Sequence, residues 1–423
     1  MKMSRKKKIA IVNIFYPPKA LGGATRVVSD EVFNLIRKYG DEFEVVVFTA
    51  DTESVNHHAV TVYPHDGYRV YTVVVPLTVE TNWHEKNEKI SRIFDNFLDL
   101  EKPDLVHFHC IQALTASILE RTQVRGIPNV VTAHDAWWIS DHQFLIDQFG
   151  TVYPEGHPDP FERSVLRDGT TLEQSLRRKR YLKGLLNKAD GVYAVSETFA
   201  RIYRLNGIYN ALANKNGISN ELVWQKKNTQ YSRKIVCGHI GGTTMHKGFD
   251  IFKTAVSALG PSNIEVVVVD HTKEAAHSTF SKWGNTPVKI IGRIDQEDIV
   301  DLYKSLDVVF APSACAESFG LVTREAAACG CWVVGSNVGA IGEDISDHNG
   351  FKIAPNSKEI LSVLKTINKQ VDKYKKTAEV KPIRYSAAQV DELVVIFREI
   401  FSRYESVRLT AESTLFEQYP KEI

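Results

Sequence analysis

Two glutamates, Glu317 and Glu325, stand eight residues apart on either side of Ser318-Phe319-Gly320. A carboxylate accepts well from paired hydroxyls such as those of a ribose or a hexose, so two of them in one segment can serve different parts of one extended ligand. The apolar run Asp307 to Ala311 leads into this segment, Val322 to Cys329 has a helical pattern, Gly330 is a natural left-handed terminator, and Trp332-Val333-Val334 begins the next strand. In such a strand-loop-helix unit, Ser318, Phe319, Gly320 and Leu321 lie at a sheet's carboxyl edge and at a helix amino terminus. Free backbone N–H groups and the helix dipole there favour a phosphate. By spacing alone, two glutamates eight apart read as solvated helix-end charges.

Other residues with chemical potential stand at comparable junctions. Lys247 lies in Met245-His246-Lys247-Gly248, and His134 ends the run Val131-Thr132-Ala133-His134-Asp135. Glycine pairs follow two strand-like runs, as Gly22-Gly23-Ala24-Thr25-Arg26 and as Gly241-Gly242-Thr243. Each has a plain structural reading. Taken alone, Lys247 is a solvated surface lysine, and His134, like His107 and His109, is a satisfied core histidine.

The elements that must position these residues come in two series. Strands are predicted near Lys8 to Ile14, Glu44 to Phe48, Arg69 to Val74, Leu105 to His109, Asn129 to Ala133 and Gly191 to Val195. A second set lies near Lys234 to Ile240, Ile264 to Val269, Val288 to Ile291, Val308 to Ala311 and Trp332 to Gly335. Helical periods alternate with them, which predicts α/β architecture with largely parallel sheets. Both series open as strand, Gly-Gly pair, helix, so the chain reads as two Rossmann-like domains, 1–215 and 216–402. The hinge is expected at Asn214 to Gly217 with the polar stretch Gln225 to Arg233. Residues 403–423 are expected as a terminal helix or tail packing back on the first domain. The periodic Val390, Leu393, Val394, Phe397, Ile400 and Phe401 suit either domain.

Composition narrows the function classes. The chain has 52 basic and 51 acidic residues, so nothing calls for bulk binding to nucleic acid. Its five cysteines are scattered without a Cys-x-x-Cys pair, which suits a reducing, cytoplasmic setting. No run of about 18 apolar residues spans a membrane. Arg163, Arg167, Arg177, Arg178, Lys179, Arg180 and Lys183 within Phe161 to Lys188 form a basic segment with Leu176, Leu182, Leu185 and Leu186 interleaved. One reading is a solvated face over core leucines; the other is peripheral contact with anionic lipid at the inner face of a membrane.

In order and spacing, these segments resemble glycosyltransferase family 4. Glu317 to Glu325 resembles its Glu-x7-Glu signature, and Tyr16-Pro17-Pro18 with Gly22-Gly23 its first glycine-rich loop. Asp104 to His109 and Val131 to Asp135 are similar to its strand-end histidine segments, Asn216-Gly217-Ile218 to its pre-hinge segment, and Met245 to Gly248 to its phosphate-binding motif. Val338-Gly339-Ala340 to Gly350 is similar to the segment that follows the glutamates. The resemblance implies a GT-B fold with two Rossmann-like domains facing each other across a cleft. It also implies transfer of a hexosyl-type group from a nucleotide sugar to a glycan or glycolipid hydroxyl, with retention, in polysaccharide, lipopolysaccharide or glycolipid synthesis. Glu325 would hold the ribose, Glu317 the transferred sugar, and His134 would sit beside the sugar ring. Lys247 would neutralise the diphosphate together with backbone at Gly22, Gly23, Gly242, Ser318, Phe319, Gly320 and Leu321.

The chain departs from the family pattern at Gly242, where members usually carry an arginine. A larger share of the charge on Lys247, or help from Arg26, Arg293 or a bound water, are the substitutes open to it. No Asp-x-Asp occurs, so no metal or other cofactor is expected. Rival readings are a dinucleotide oxidoreductase, disfavoured because neither loop is Gly-x-Gly-x-x-Gly, a sugar-nucleotide epimerase, and a non-catalytic binding subunit.

Overall fold

The computed structural model describes residues 5–19, 22–76, 78, 80–156, 166–220, 222, 234–295, 298–379 and 383–418, with side chains up to 407. The first series contains β1 (Lys7–Val12), α1 (Gly22–Tyr39), β2 (Phe43–Asp51), β3 (Val60–His65), β4 (Tyr68–Val74), α2 (Glu88–Glu101), β5 (Leu105–Phe108) and α3 (Ser117–Val124). It continues with β6 (Asn129–Ala133), α4 (Leu172–Leu186), β7 (Gly191–Ala194), α5 (Glu197–Leu205) and β8 (Ala211–Ala213). The second contains β9 (Ile235–His239), α6 (Phe249–Ser257), β10 (Ile264–Val269), β11 (Ser278–Trp283), β12 (Thr286–Ile291), α7 (Ile299–Ser305), β13 (Val308–Ala311) and α8 (Leu321–Ala328). It ends in β14 (Trp332–Ser336), β15 (Gly350–Ile353), α9 (Ser357–Lys369), α10 (Val371–Tyr374) and α11 (Ser386–Gln418).

The sheets run β3-β4-β2-β1-β5-β6-β7-β8 and β11-β12-β10-β9-β13-β14-β15. Only the edge strands β3 and β11 are antiparallel to their neighbours. Without them both sheets have the doubly wound order, which reverses direction between β1 and β5 and between β9 and β13. Ligands of such sheets bind in the crevice at those reversals. This is the GT-B architecture expected above. The parallel strands are apolar on both faces: Ile9 and Ile11 pack under α1, while Ala10 and Val12 pack toward α2 and α3.

The edge strands β3 and β11 were not among the predicted strands, because they lie largely exposed, Val60, Val62 and Phe280 included, and so carry no run of buried apolar residues. Their turns are legible all the same. Asp66-Gly67, both at positive φ, and Gly284-Asn285 are two-residue hairpin turns.

The last helix corrects the expected domain assignment. It turns back onto the first sheet from Ser386, rather than only beyond residue 402. Val390, Leu393, Val394, Phe397, Ile400 and Phe401 join the core of Ile9, Ile11, Val45 and Phe43. Phe397 meets Phe43 edge-on at 6.4 Å. The two chain crossings between the sheets are laced together, with Ile218 N donating to Arg384 O (3.0 Å) and Ser386 N to Ile218 O (2.8 Å). The Gln225 to Arg233 part of the expected hinge lies outside the described residues.

The basic segment is not a uniform solvated face. Arg178 is fully buried and donates to the carbonyls of Trp83 (2.8 Å), Trp137 (2.9 Å) and Ser140 (3.2 Å). Burial lowers its pKa to about 10. Leu182, Leu185 and Leu186 belong to the core, and Arg163 lies outside the described residues. Among the described residues no helix is long and apolar enough to cross a membrane. All five cysteines are free and buried.

Candidate active site

The second sheet brings two of its carboxyl-edge loops together. Lys247 lies in a single 3-10 turn, Met245–Lys247, and its Nζ donates to Glu317 Oε1 at 2.8 Å. Ser313 also donates its hydroxyl to that carboxylate oxygen. Ala314 N donates to His246 O (2.9 Å) and Ala340 N to Glu317 O (2.8 Å), so the backbone on both sides of Glu317 is fixed. From below, His239 Nε2–H donates to Lys247 O at 3.3 Å. Burial of the imidazole lowers the His239 pKa to about 4, leaving it neutral.

Glu317 and Lys247 hold each other charged. Burial acts to raise the Glu317 pKa, but the charge and hydrogen bond of Lys247 and the Ser313 hydroxyl outweigh it and bring it down. For Lys247 burial acts to lower the pKa, and Glu317 reverses the sign. The pair stands beside the amino end of α8, which Gly320 opens in the left-handed conformation. Arg324 braces that turn, donating to Phe319 O and Asp344 and lying 3.9 Å from the centre of the Phe319 ring.

Glu325 sits one turn into α8 and is 3% exposed. Tyr303 of α7 donates its hydroxyl to Glu325 Oε2 at 2.8 Å. Arg26 Nη2, from the first turn of α1 on the opposite sheet, lies 3.1 Å from Glu325 Oε1. The approach is close: a Cβ built on Gly23 would meet Leu321 Cδ1 at 2.8 Å. Phe144 stacks on His246 across the same crevice, with ring centres 5.0 Å apart. Thr198 N donates to Glu343 Oε1 at 2.8 Å.

Gly242 has a stereochemical reason for not being arginine. Its φ is +95°, and a Cβ there would lie 3.1 Å from His271 Cδ2. His271 is itself fixed by donating from Nε2 to Ile240 O at 3.0 Å. Of the two arginines weighed as substitutes, Arg293 is 59% exposed and pairs with Glu274, whereas Arg26 reaches into the cleft. The two Gly-Gly loops also differ: Gly22 opens α1 directly, while Gly242 precedes the Lys247 turn and α6 starts only at Phe249.

In the first sheet, His134 follows β6 and is 9% exposed. Its Nε2 shares a proton with His109 Nδ1 across 3.0 Å. His107 and His109 were expected as satisfied core histidines, and the structure corrects this. His107 Nδ1 and His109 Nε2 lie 3.0 and 3.5 Å from Glu31 Oε1, and none of these three atoms has a hydrogen-bond partner. Burial lowers the pKa of His134, and lowers that of His109 to about 4. Burial alone would raise Glu31, but the two histidines hold it well below the usual carboxylate range. The next residue, Asp135, accepts from Trp137 N (2.9 Å), Gln112 (2.8 Å) and Gln143 (2.7 Å), which fixes the turn that carries His134.

The structure thus brings Lys247, Glu317, Phe319, Gly320, Leu321 and Glu325 together on the second sheet's side of the crevice, with Gly23 facing Leu321 from α1 and His134 on the first sheet's edge. Sequence reasoning missed Ser313, Tyr303, Phe144 and Glu31. Only Glu31 left a signal: a carboxylate on the apolar face Val27, Val28, Val32 and Leu35 of α1.

Comparison with known proteins agrees with this architecture. A family model described as Glycosyltransferase Family 4 matches residues 21–212, and one described as Glycosyl transferases group 1 matches residues 221–381. The uncharacterized glycosyltransferase MJ1178 of Methanocaldococcus jannaschii is 21% identical over 372 residues, covering 86% of this chain and 89% of that protein. Among solved structures, sucrose-phosphate synthase from Thermosynechococcus elongatus superposes with a TM-score of 0.66 at 17% identity, covering 96% of this chain and all of that one. Anabaena HepE in complex with UDP and glucose gives 0.59 at 18% identity, covering 95% and 100%.

Proposed function

We propose, on the premise that this chain is a family 4-like glycosyltransferase of the GT-B fold, that it moves a hexosyl-type group from a nucleotide sugar to a glycan or glycolipid hydroxyl, with retention and with no metal at the diphosphate. The observation that carries this reading is the Lys247–Glu317 pair beside the amino end of α8. A cation and a hydroxyl-reading carboxylate there stand where a diphosphate and its sugar would meet.

In this reading Glu325 accepts from the ribose hydroxyls, and Arg26 moves from it to the diphosphate, supplying the guanidinium that Gly242 cannot. Lys247 and the backbone N–H groups of Gly23, Phe319, Gly320 and Leu321 take the rest of the phosphate charge. Glu317 holds the sugar hydroxyls, and His134 orients the ring against an acceptor bound by the first sheet's loops. As the acceptor oxygen bonds to the anomeric carbon, the bond from that carbon to the phosphate oxygen breaks. The departing phosphate takes the acceptor's proton on the same face, so the configuration is kept and no separate base is needed.

HepE has been solved with UDP-glucose, which makes UDP-glucose the first donor to test. Nucleotide sugars would be screened by thermal shift, since a ligand of the folded state raises its melting temperature. The stabilising donor would then be assayed for transfer, with NMR of the product's anomeric proton. Inversion would overturn the mechanism. Transfer lost in EDTA and restored by magnesium or manganese would overturn the metal-free diphosphate site.

A further inference from the structure

Beneath the first sheet's edge, the Glu31, His107 and His109 side chains are 0–1% exposed. Glu31 Oε1 lies 3.0 Å from His107 Nδ1 and 3.5 Å from His109 Nε2, and the three atoms all fall within 4.8 Å of one another. The three atoms face one another at ion-pair distances, yet each of them lacks a hydrogen-bond partner. Buried polar atoms are seldom left so, and three that converge on one point are rarer still. Each ring's other nitrogen is engaged: His107 Nε2 with Thr132 Oγ1 at 2.7 Å, and His109 Nδ1 with His134 Nε2 at 3.0 Å.

Converging lone pairs, with the far ring nitrogens held by outer partners, are what a metal ion requires of its ligands. For ligands about 2.0–2.1 Å from zinc, tetrahedral geometry puts donor atoms roughly 3.3 Å apart, between the two separations from Glu31. Two imidazoles and one carboxylate exclude magnesium and calcium, which take oxygen, and favour a first-row transition ion. We propose that Glu31, His107 and His109 bind one divalent transition-metal ion of the zinc type, which ties α1 to β5. Burial gives the ion a structural task. Glu31 belongs to the helix that opens at Gly22-Gly23 and carries Arg26, so the ion fixes the first sheet's side of the cleft. With His109 Nε2 on the metal, its Nδ1 keeps the proton and donates to His134 Nε2, which places the His134 proton on Nδ1.

The full chain would be stripped of metal, loaded separately with zinc and cobalt, and passed through gel filtration before metal analysis. The expected result is one retained ion per chain, with the strong visible ligand-field bands of a nitrogen and oxygen site of low coordination number in the cobalt form. Glu31→Gln and His109→Gln should lose the ion. Thr132→Val, which removes only an outer partner, should weaken its binding about ten- to a hundredfold. No retained ion in the wild type, or equal retention by Glu31→Gln, would overturn the proposal. If the ligand variants do not fold, the wild-type cobalt spectrum decides alone, since hexaaquo-like or absent bands would overturn it. None of these readouts depends on transfer activity.

Discussion

In the second sheet, the charged side chains stand at the surface of the cleft and are held by loops: Glu317 and Lys247 are 16% and 30% exposed, and their partners come from neighbouring turns. In the first sheet, the same crevice position is underlain by Glu31, His107 and His109, all closed off from solvent, and only His134 looks out. One strand order therefore supports two kinds of site. The second half presents contacts that a ligand can exchange, Arg26 on Glu325 being one that must move. The first half is a foundation whose polar groups converge on a point closed to solvent. Substitutions in the second half should act on ligand and turnover, and those in the first on geometry and stability.

The strongest test of that contrast is Glu317→Gln. It should lower kcat about 100- to 1000-fold, the scale at which one well-placed transition-state contact is lost. Affinity for the nucleoside diphosphate should be little changed, because Lys247 is then left to the phosphates. Calorimetry and rate assays would read both, and an unchanged kcat would remove Glu317 from the sugar site.

A smaller effect is expected one turn further along α8. Glu325→Gln should weaken nucleoside diphosphate binding roughly ten- to a hundredfold, the value of a charged acceptor to two hydroxyls. Arg26→Ala separates the two roles given to that arginine. It should weaken binding of the diphosphate about tenfold, yet leave the free nucleoside bound as well or better, because Glu325 no longer has a competing cation. Equal losses for both ligands would mean that Arg26 only braces the cleft.

Much of this arrangement was legible beforehand, and the limits have physical causes. The strands β6, β9 and β13 are short apolar runs followed by polar or glycine-rich segments at the carboxyl edge, so Glu317, Glu325, Lys247 and His134 could be placed on loops or helix starts from pattern alone. The direction of α11 could not. Its apolar stripe from Val390 to Phe401 fits any sheet face, and the choice was made by Phe43 and by the lacing of Ile218 with Ser386, contacts between residues far apart in the chain. Ser313 and Tyr303 gave no signal, since a hydroxyl that bonds a distant carboxylate has no spacing to betray it. Arg178 was misread because a buried guanidinium that finds three carbonyls looks, in sequence, like its solvated neighbours.

The histidines sharpen the comparison where the two halves meet. His134→Ala should lower kcat roughly 10- to 100-fold by loosening the sugar's placement, with nucleotide affinity intact. His107→Ala, one strand over and fully buried, should act mainly through stability, lowering the melting temperature and costing the folded fraction less kcat than His134→Ala does. If the two variants behave alike, His134 belongs to the foundation and not to the cleft.

The smallest effect probes the far end of the first sheet, where burial of charge again predominates. Glu101 accepts from Arg69 Nε and Nη2 (both 2.8 Å), from Lys8 Nζ (2.9 Å) and from the Tyr71 hydroxyl. Burial acts to raise its pKa, but Arg69, Tyr71 and Lys8 outweigh it and lower it from 4.5 to about 2. A carboxylate lowered in the folded state adds stability that is fully present above its unfolded pKa and is lost as pH falls through its folded one. The contribution should therefore stand above about pH 4.5 and fade toward about pH 2. Glu101→Gln should cost about 1–2 kcal/mol at neutral pH. Denaturant unfolding of both proteins across that window should show the gap between them closing as the pH falls. A gap that stays constant would mean that Glu101 acts by packing alone, and that the ion pairs with Arg69 and Lys8 add nothing to the first sheet.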